Sequence, residues 1–128
     1  MKLVAFDLDD TLAPSKSPLP PLMDQRLQSL LDHVPVCIIS GGQIGQFRAQ
    51  VLSQLHATDS QLSRLHLMHG VGSAMLPGIY AGAKVFVYPS RFEGFGIPLI
   101  EALNAGVPVI GATGSCLEEA GGPSSLYT

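Results

Sequence analysis

Short apolar runs alternating with helix-patterned segments constrain the fold of this chain more than any other feature. Residues 2–8, 34–40, 84–89 and 107–112 are strand-length and rich in Val, Ile, Leu and Phe. Residues 65–69 and 126–128 read as two shorter strands. Between them, residues 21–33 carry Leu22, Leu27, Leu30 and Leu31 at near-helical spacing. Residues 43–55 carry Phe47, Val51, Leu52 and Leu55 as an expected inner stripe. Residues 97–105 form a third helix, with Pro98 in its first turn, where proline is tolerated. Residues 115–120 form a short fourth helix, and 71–82 read as a glycine-interrupted helix or an irregular connection.

Strands that are apolar throughout and joined by helices belong to parallel sheets covered on both faces. The expectation is one Rossmann-like three-layer α/β/α domain over residues 1–128. Its parallel sheet would have five to six strands in an order near 3-2-1-4-5. Such folds place ligands beyond the carboxyl ends of their strands, which here carry Asp7, Ser40 and Ser90.

The chain has 128 residues, enough for one real core. Charged residues are 13 %, about half the usual share of roughly 25 %. A formal charge of −3 with no basic block argues against nucleic acid and against an anionic membrane surface. Low charge gives little electrostatic protection against self-association. Cys37 and Cys116 have no metal-ligand spacing, and Cys37 in its apolar run reads as a reduced core thiol. No signal-peptide or spanning pattern is present, so a soluble, cytoplasmic protein with reduced thiols is expected. His33, His56, His66 and His69 form no ligand set and read as packing or solvated residues.

The strongest chemical signal is Phe6-Asp7-Leu8-Asp9-Asp10-Thr11-Leu12. Alternation along a strand puts Asp7 and Asp9 on one side of its carboxyl end. Carboxylates that close repel unless a cation lies between them or one stays protonated. The pattern points to a divalent metal, a nucleophile with an acid/base partner, or both. Ile38-Ile39-Ser40-Gly41-Gly42 ends the next long strand with a hydroxyl and two glycines that open a helix, a ready anion site.

These two motifs resemble the first and second motifs of the haloacid dehalogenase superfamily. With Leu65-His66-Leu67-Met68 and Gly72, residues 1–75 are most similar to its phosphomannomutase and sugar-phosphatase branch. The resemblance implies Asp7 as the nucleophile that forms an aspartyl-phosphate and Asp9 as general acid/base. It also implies Thr11, Ser40, Gly41 and Gly42 as phosphate-binding residues and a weakly held Mg²⁺ bound by the Asp7 carboxylate and the Asp9 backbone carbonyl. Phosphate or a sugar phosphate would be the ligand. The superfamily's lysine, its later acidic ligands and its cap domain have no counterpart here. Lys84 lies at the wrong end of its strand, and Lys16 sits in the loop after Asp7.

Residues 76–128 carry a second signature, centred on Glu93-Gly-Phe-Gly-Ile-Pro-Leu-Ile-Glu101. This segment resembles the carboxyl-terminal domain of retaining GT-B glycosyltransferases, with Gly94, Gly96 and Pro98 in place. The resemblance implies Glu93 beside the donor sugar and the amides around Phe95–Ile97 at the diphosphate. Glu101 would accept from the nucleotide ribose. The basic pair and the acceptor domain of those enzymes have no counterpart.

Two half-signatures suggest a chimera joined near residues 75–77, an engineered or recombinant chain without a complete site. The expectation leans away from enzyme turnover. In a shared sheet, Ser90, Arg91 and Glu93 would stand near Asp7, with Glu93 a substitute metal ligand and Arg91 a substitute phosphate-binding cation.

Overall fold

The computed structural model describes residues 3–90 and 94–128. The chain divides into two compact units, Met1–Val71 and Gly72–Thr128.

The first unit runs β1 (Val4–Asp7), α1 (Pro21–His33), β2 (Val36–Ile39), α2 (Ile44–Phe47), α3 (Asp59–Leu62) and β3 (Leu65–Met68). Its three strands are parallel in the order β1-β2-β3, with Asp7 opposite Ile39 and Ile39 opposite Met68. Helix α1 starts at Pro21, whose missing N–H would have no partner in a first turn anyway. Alternation along β1 leaves Ala5 and Asp7 exposed while Val4 and Phe6 are half-buried. The core joins Leu8, Val36 and Ile38 to Leu27 and Leu31 of α1 and to Phe47 and Val51.

Helix α2 runs into a π-helical turn, Arg48–Leu52, closed by the Ser53 N–H donating to the Arg48 carbonyl at 3.0 Å. The expected inner stripe is corrected here. Leu52 is 40 % exposed, whereas Gln50 is 4 % exposed. The π-helical turn holds more residues per turn than an α-helix, so the α-helical spacing behind the expected stripe does not carry through it. Helix α3 was not anticipated, although Thr58 and Gln61 form a capping box, a signal legible in Thr58-Asp59-Ser60-Gln61.

The second unit opens with a 3₁₀ turn, Ser73–Met75, and continues through α4 (Leu76–Gly82), β4 (Phe86–Tyr88), α5 (Ile97–Asn104), β5 (Val109–Gly111), α6 (Leu117–Gly121) and β6 (Leu126–Tyr127). The ambiguous stretch 71–82 is therefore helical over most of its length. Strands β4, β5 and β6 are parallel neighbours in that order. Tyr80, Leu99, Ala102, Val109 and Leu117 form the core.

The expected single sheet of five to six strands is corrected to two three-stranded sheets, one in each unit. The β3-β2-β1 and β4-β5 runs of the expected order are both present. Strand-length apolar runs specify parallel pairing between sequence neighbours, because each crossover helix returns its chain beside the strand just left. They do not specify how many strands share one ladder.

Candidate functional site

Strand β1 ends at Asp7, and the chain then turns sharply. Leu8 and Leu12 are buried, and the Leu12 and Ala13 amides both donate to the Leu8 carbonyl, at 3.0 and 3.2 Å. Asp10 adopts a left-handed backbone (φ 58°), as does Lys16 (φ 56°). Aspartate tolerates that region because its short polar side chain bonds locally. The Asp10 carboxylate accepts the Ser15 amide at 2.9 Å, and Asp9 Oδ1 accepts the Lys16 amide at 3.0 Å. Both carboxylates thus close the loop between β1 and α1.

Asp9 is held from a second direction. Gln46 Nε2 donates to its Oδ2 at 2.8 Å, and Gln50 Nε2 donates to its Oδ1 at 3.3 Å and to the Ser17 carbonyl at 2.8 Å. Desolvation would raise the Asp9 carboxyl, but the Lys16 amide, Gln46, Gln50 and the Lys16 charge together hold it below the ordinary carboxylate range. Asp7 goes the other way. Partial desolvation pushes its carboxyl up, the Leu8 amide opposes this, and the charges of Asp9 and Asp10 add to it. Gln50 Oε1 is buried and has no hydrogen-bond partner among the described residues.

At the end of β2, Ser40 is buried and its Oγ accepts the Gly42 amide at 3.0 Å. The Ser40 amide donates to the Met68 carbonyl at 3.0 Å, and the Gly42 carbonyl accepts the Gly70 amide at 2.9 Å. A Cβ on Gly42 would collide with the end of the Gln46 side chain, so glycine there lets Gln46 cross to Asp9. Gly41 is exposed at this turn. Thr11 lines a shallow groove of about 380 Å³ with Asp10, Leu12, Ala13, Pro14, Pro20 and Met23.

The Mg²⁺ that the Asp-x-Asp resemblance implies would be held by the Asp7 carboxylate and the Asp9 backbone carbonyl. No group of three His, Cys, Asp or Glu side chains gathers among the described residues. The Asp9 carboxylate itself is engaged in closing its loop, accepting from the Lys16 amide, Gln46 and Gln50. Glu93, the third expected ligand, and Arg91 lie outside the described residues.

In the second unit, Gly94 and Phe95 form an exposed bend before α5. Gly96 caps the helix in a left-handed conformation (φ 82°), and a Cβ there would sit 2.6 Å from Leu117 Cδ2. Only glycine satisfies both demands. Its carbonyl accepts the Leu99 amide at 3.0 Å, which starts the helix. Glu101 lies one turn further on, half-exposed, and its Oε2 accepts from Tyr80 Oη at 3.1 Å. After β5, the Gly114 amide donates to Glu118 Oε1 at 3.2 Å.

Gln46, Gln50 and Tyr80 were not anticipated as site residues. Polar side chains at i and i+4 on a helix otherwise apolar on that face were the available signal for the glutamines. Tyr80 carried none, because its partner is 21 residues away.

Comparison with known proteins bears on both units. The family described as Glycosyl transferases group 1 matches residues 24–120. The chain is 49 % identical over 51 residues to the O-antigen chain mannosyltransferase B of Escherichia coli, covering 40 % of this chain and 13 % of that protein. It is 34 % identical over 59 residues to an MMP alpha-(1->4)-mannosyltransferase of Mycolicibacterium hassiacum, covering 46 % and 14 %. It is 39 % identical over 62 residues to the O-antigen chain mannosyltransferase RfbU of Salmonella typhimurium, covering 48 % and 18 %. The chain thus spans less than a fifth of the length of these relatives. Among the described residues, no helix is long and apolar enough to cross a membrane.

Proposed function

This chain belongs to the glycosyl transferases group 1 family, and on that premise we propose that residues 72–128 bind the nucleoside diphosphate of a sugar donor. The observation that carries the reading is the glycine turn at Gly94–Gly96 opening α5, with Glu101 one helical turn beyond. A helix amino end with close backbone approach favours a diphosphate through its amides and its dipole. Glu101 is half-exposed, and its carboxylate would accept hydrogen bonds from ribose hydroxyls. The resemblance puts Glu93 beside the sugar. The names of the relatives favour a mannosyl donor, and binding is the activity proposed.

Titration of ¹⁵N-labelled protein with GDP-mannose tests this. Amide shifts at Gly94, Phe95, Gly96 and Ile97 are expected, with loss of affinity in Glu101→Gln. Saturating ligand that leaves those four amides unmoved would sink the reading.

The phosphate-monoester reading of the first unit rests on Asp7 at the end of β1, with Ser40 following its register partner Ile39. It would take Asp7 as nucleophile, and it is what makes a dehalogenase-like origin for residues 1–75, and hence a chimera, attractive. The family match through residues 24–71 supports a single-family origin instead. Slow Mg²⁺-dependent hydrolysis of an activated phosphate ester, abolished by Asp7→Asn, would favour the monoesterase; no hydrolysis above buffer would dismiss it.

A further inference from the structure

We infer that Tyr80 is a positioning residue for Glu101, fixing its carboxylate to receive a vicinal diol of the ligand; this rests on the nucleotide reading above. Tyr80 is buried in α4, and its ring meets Phe86 edge-on, with centroids 5.4 Å apart and planes at 84°. Phe86 in turn stacks on Tyr88 at 5.7 Å. The aromatic row fixes where the phenol points, and Oη donates to Glu101 Oε2 at 3.1 Å. A hydrogen bond to an ionised acceptor is stronger than a neutral one.

The chemical consequence is directional. An ionised carboxylate offers about four lone-pair sites, and the phenol takes one of them. The remaining sites on a half-exposed carboxylate can accept two neighbouring hydroxyls. A glutamate side chain free in solvent would lose its rotamer freedom when it bound them. Held by Tyr80, Glu101 has already lost that freedom, so the ligand does not have to supply it. In this role Tyr80 reaches the ligand through Glu101.

Ribose hydroxyls provide the discriminating test. Affinities of GDP and of 2′,3′-dideoxy-GDP are measured by calorimetry for the wild-type chain, Tyr80→Phe, Glu101→Gln and the double variant. Tyr80→Phe keeps the ring against Phe86 and removes only the O–H. It is expected to weaken GDP about threefold to tenfold, the range that ordering one side chain accounts for. The dideoxy nucleotide should bind Tyr80→Phe and wild type alike, and Tyr80→Phe should add no loss in the Glu101→Gln background. Equal weakening of both nucleotides would mean a merely structural role and overturn the proposal. So would a Tyr80→Phe variant that binds GDP as wild type does while Glu101→Gln fails. If wild type binds neither nucleotide, or binds both equally, the nucleotide reading of Glu101 falls and this proposal falls with it.

Discussion

Gln50 and Asp9 are joined by a bond that spans 41 residues, from a buried glutamine on the π-helical turn to a carboxylate in the loop after β1. The same Gln50 amide also holds the Ser17 carbonyl, so one side chain closes the loop at two points. Asp9 therefore acts as an acceptor that shapes its loop.

Removing that glutamine should loosen the loop without dissolving the unit. Gln50→Ala is expected to lower the stability of the first unit by about 2 kcal/mol, because Asp9 and Ser17 each lose a donor. Hydrogen exchange at the Lys16 amide, which Asp9 holds at 3.0 Å, should accelerate well beyond that of the β2 amides. Unchanged Lys16 exchange would show that the loop stands without Gln50.

Gly96 combines a left-handed backbone with a contact that leaves no room for a methyl group. Gly96→Ala is expected to destabilise the second unit by about 1–3 kcal/mol from backbone strain, with the Leu117 clash adding to it. Thermal unfolding followed at the Tyr127 or Tyr88 ring signals should report the loss.

Acid should unfold the first unit partly through Asp24. This buried carboxylate accepts from Gln28 Nε2 at 2.7 Å and from the His56 amide at 3.0 Å, and pairs with His56 Nδ1 at 2.8 Å. Desolvation works against ionisation, but the bonds to His56 and Gln28 outweigh it and hold the carboxyl below 3.8. The unfolded chain then binds more protons just above the folded value. The stabilisation is present above about pH 3.8 and is lost as pH falls through the folded pKa. Asp9 shares this sign. Asp7, shifted up, has the opposite one, its contribution being present below 3.8 and lost as pH rises through its folded pKa. Urea midpoints between pH 6 and pH 2 should fall less steeply in Asp24→Asn than in wild type.

Leu99 is fully buried, and its methyl groups lie where a Cβ on Gly111 or on Gly121 would stand 3.4 or 3.0 Å away. It packs α5 onto β5 and α6 at once. Leu99→Ala should cost about 2–5 kcal/mol, as for other large-to-small core changes. Chemical denaturation that shows a loss under 1 kcal/mol would mean that the two glycine faces close over the cavity.

Much of the fold was legible because it depends on local pattern. Pro21 marks the start of α1, and the 36–39 and 65–68 runs have no way to bury their apolar side chains except as strands. The Gly-Phe-Gly-Ile-Pro segment announces a tight turn into a helix, and Gly96 at φ 82° is that turn. The glycosyltransferase resemblance rested on these same residues. Asp7 and Asp9 are two positions apart in the sequence, but their similar side chains received different environments that no local spacing encodes.

What the sequence determined by itself was most of the elements, the parallel pairing of neighbouring strands, and the positions where glycine or proline was obligatory, because these follow from backbone sterics and from apolar period. Tertiary structure alone decided that the strands divide into two three-stranded ladders. It alone decided that Asp9 is committed to Gln46 and Gln50, and that Glu101 has a phenol beside it. Those outcomes depend on contacts between residues 21 to 41 positions apart, where the direction of a side chain is set by the packing of two elements rather than by its neighbours in the chain.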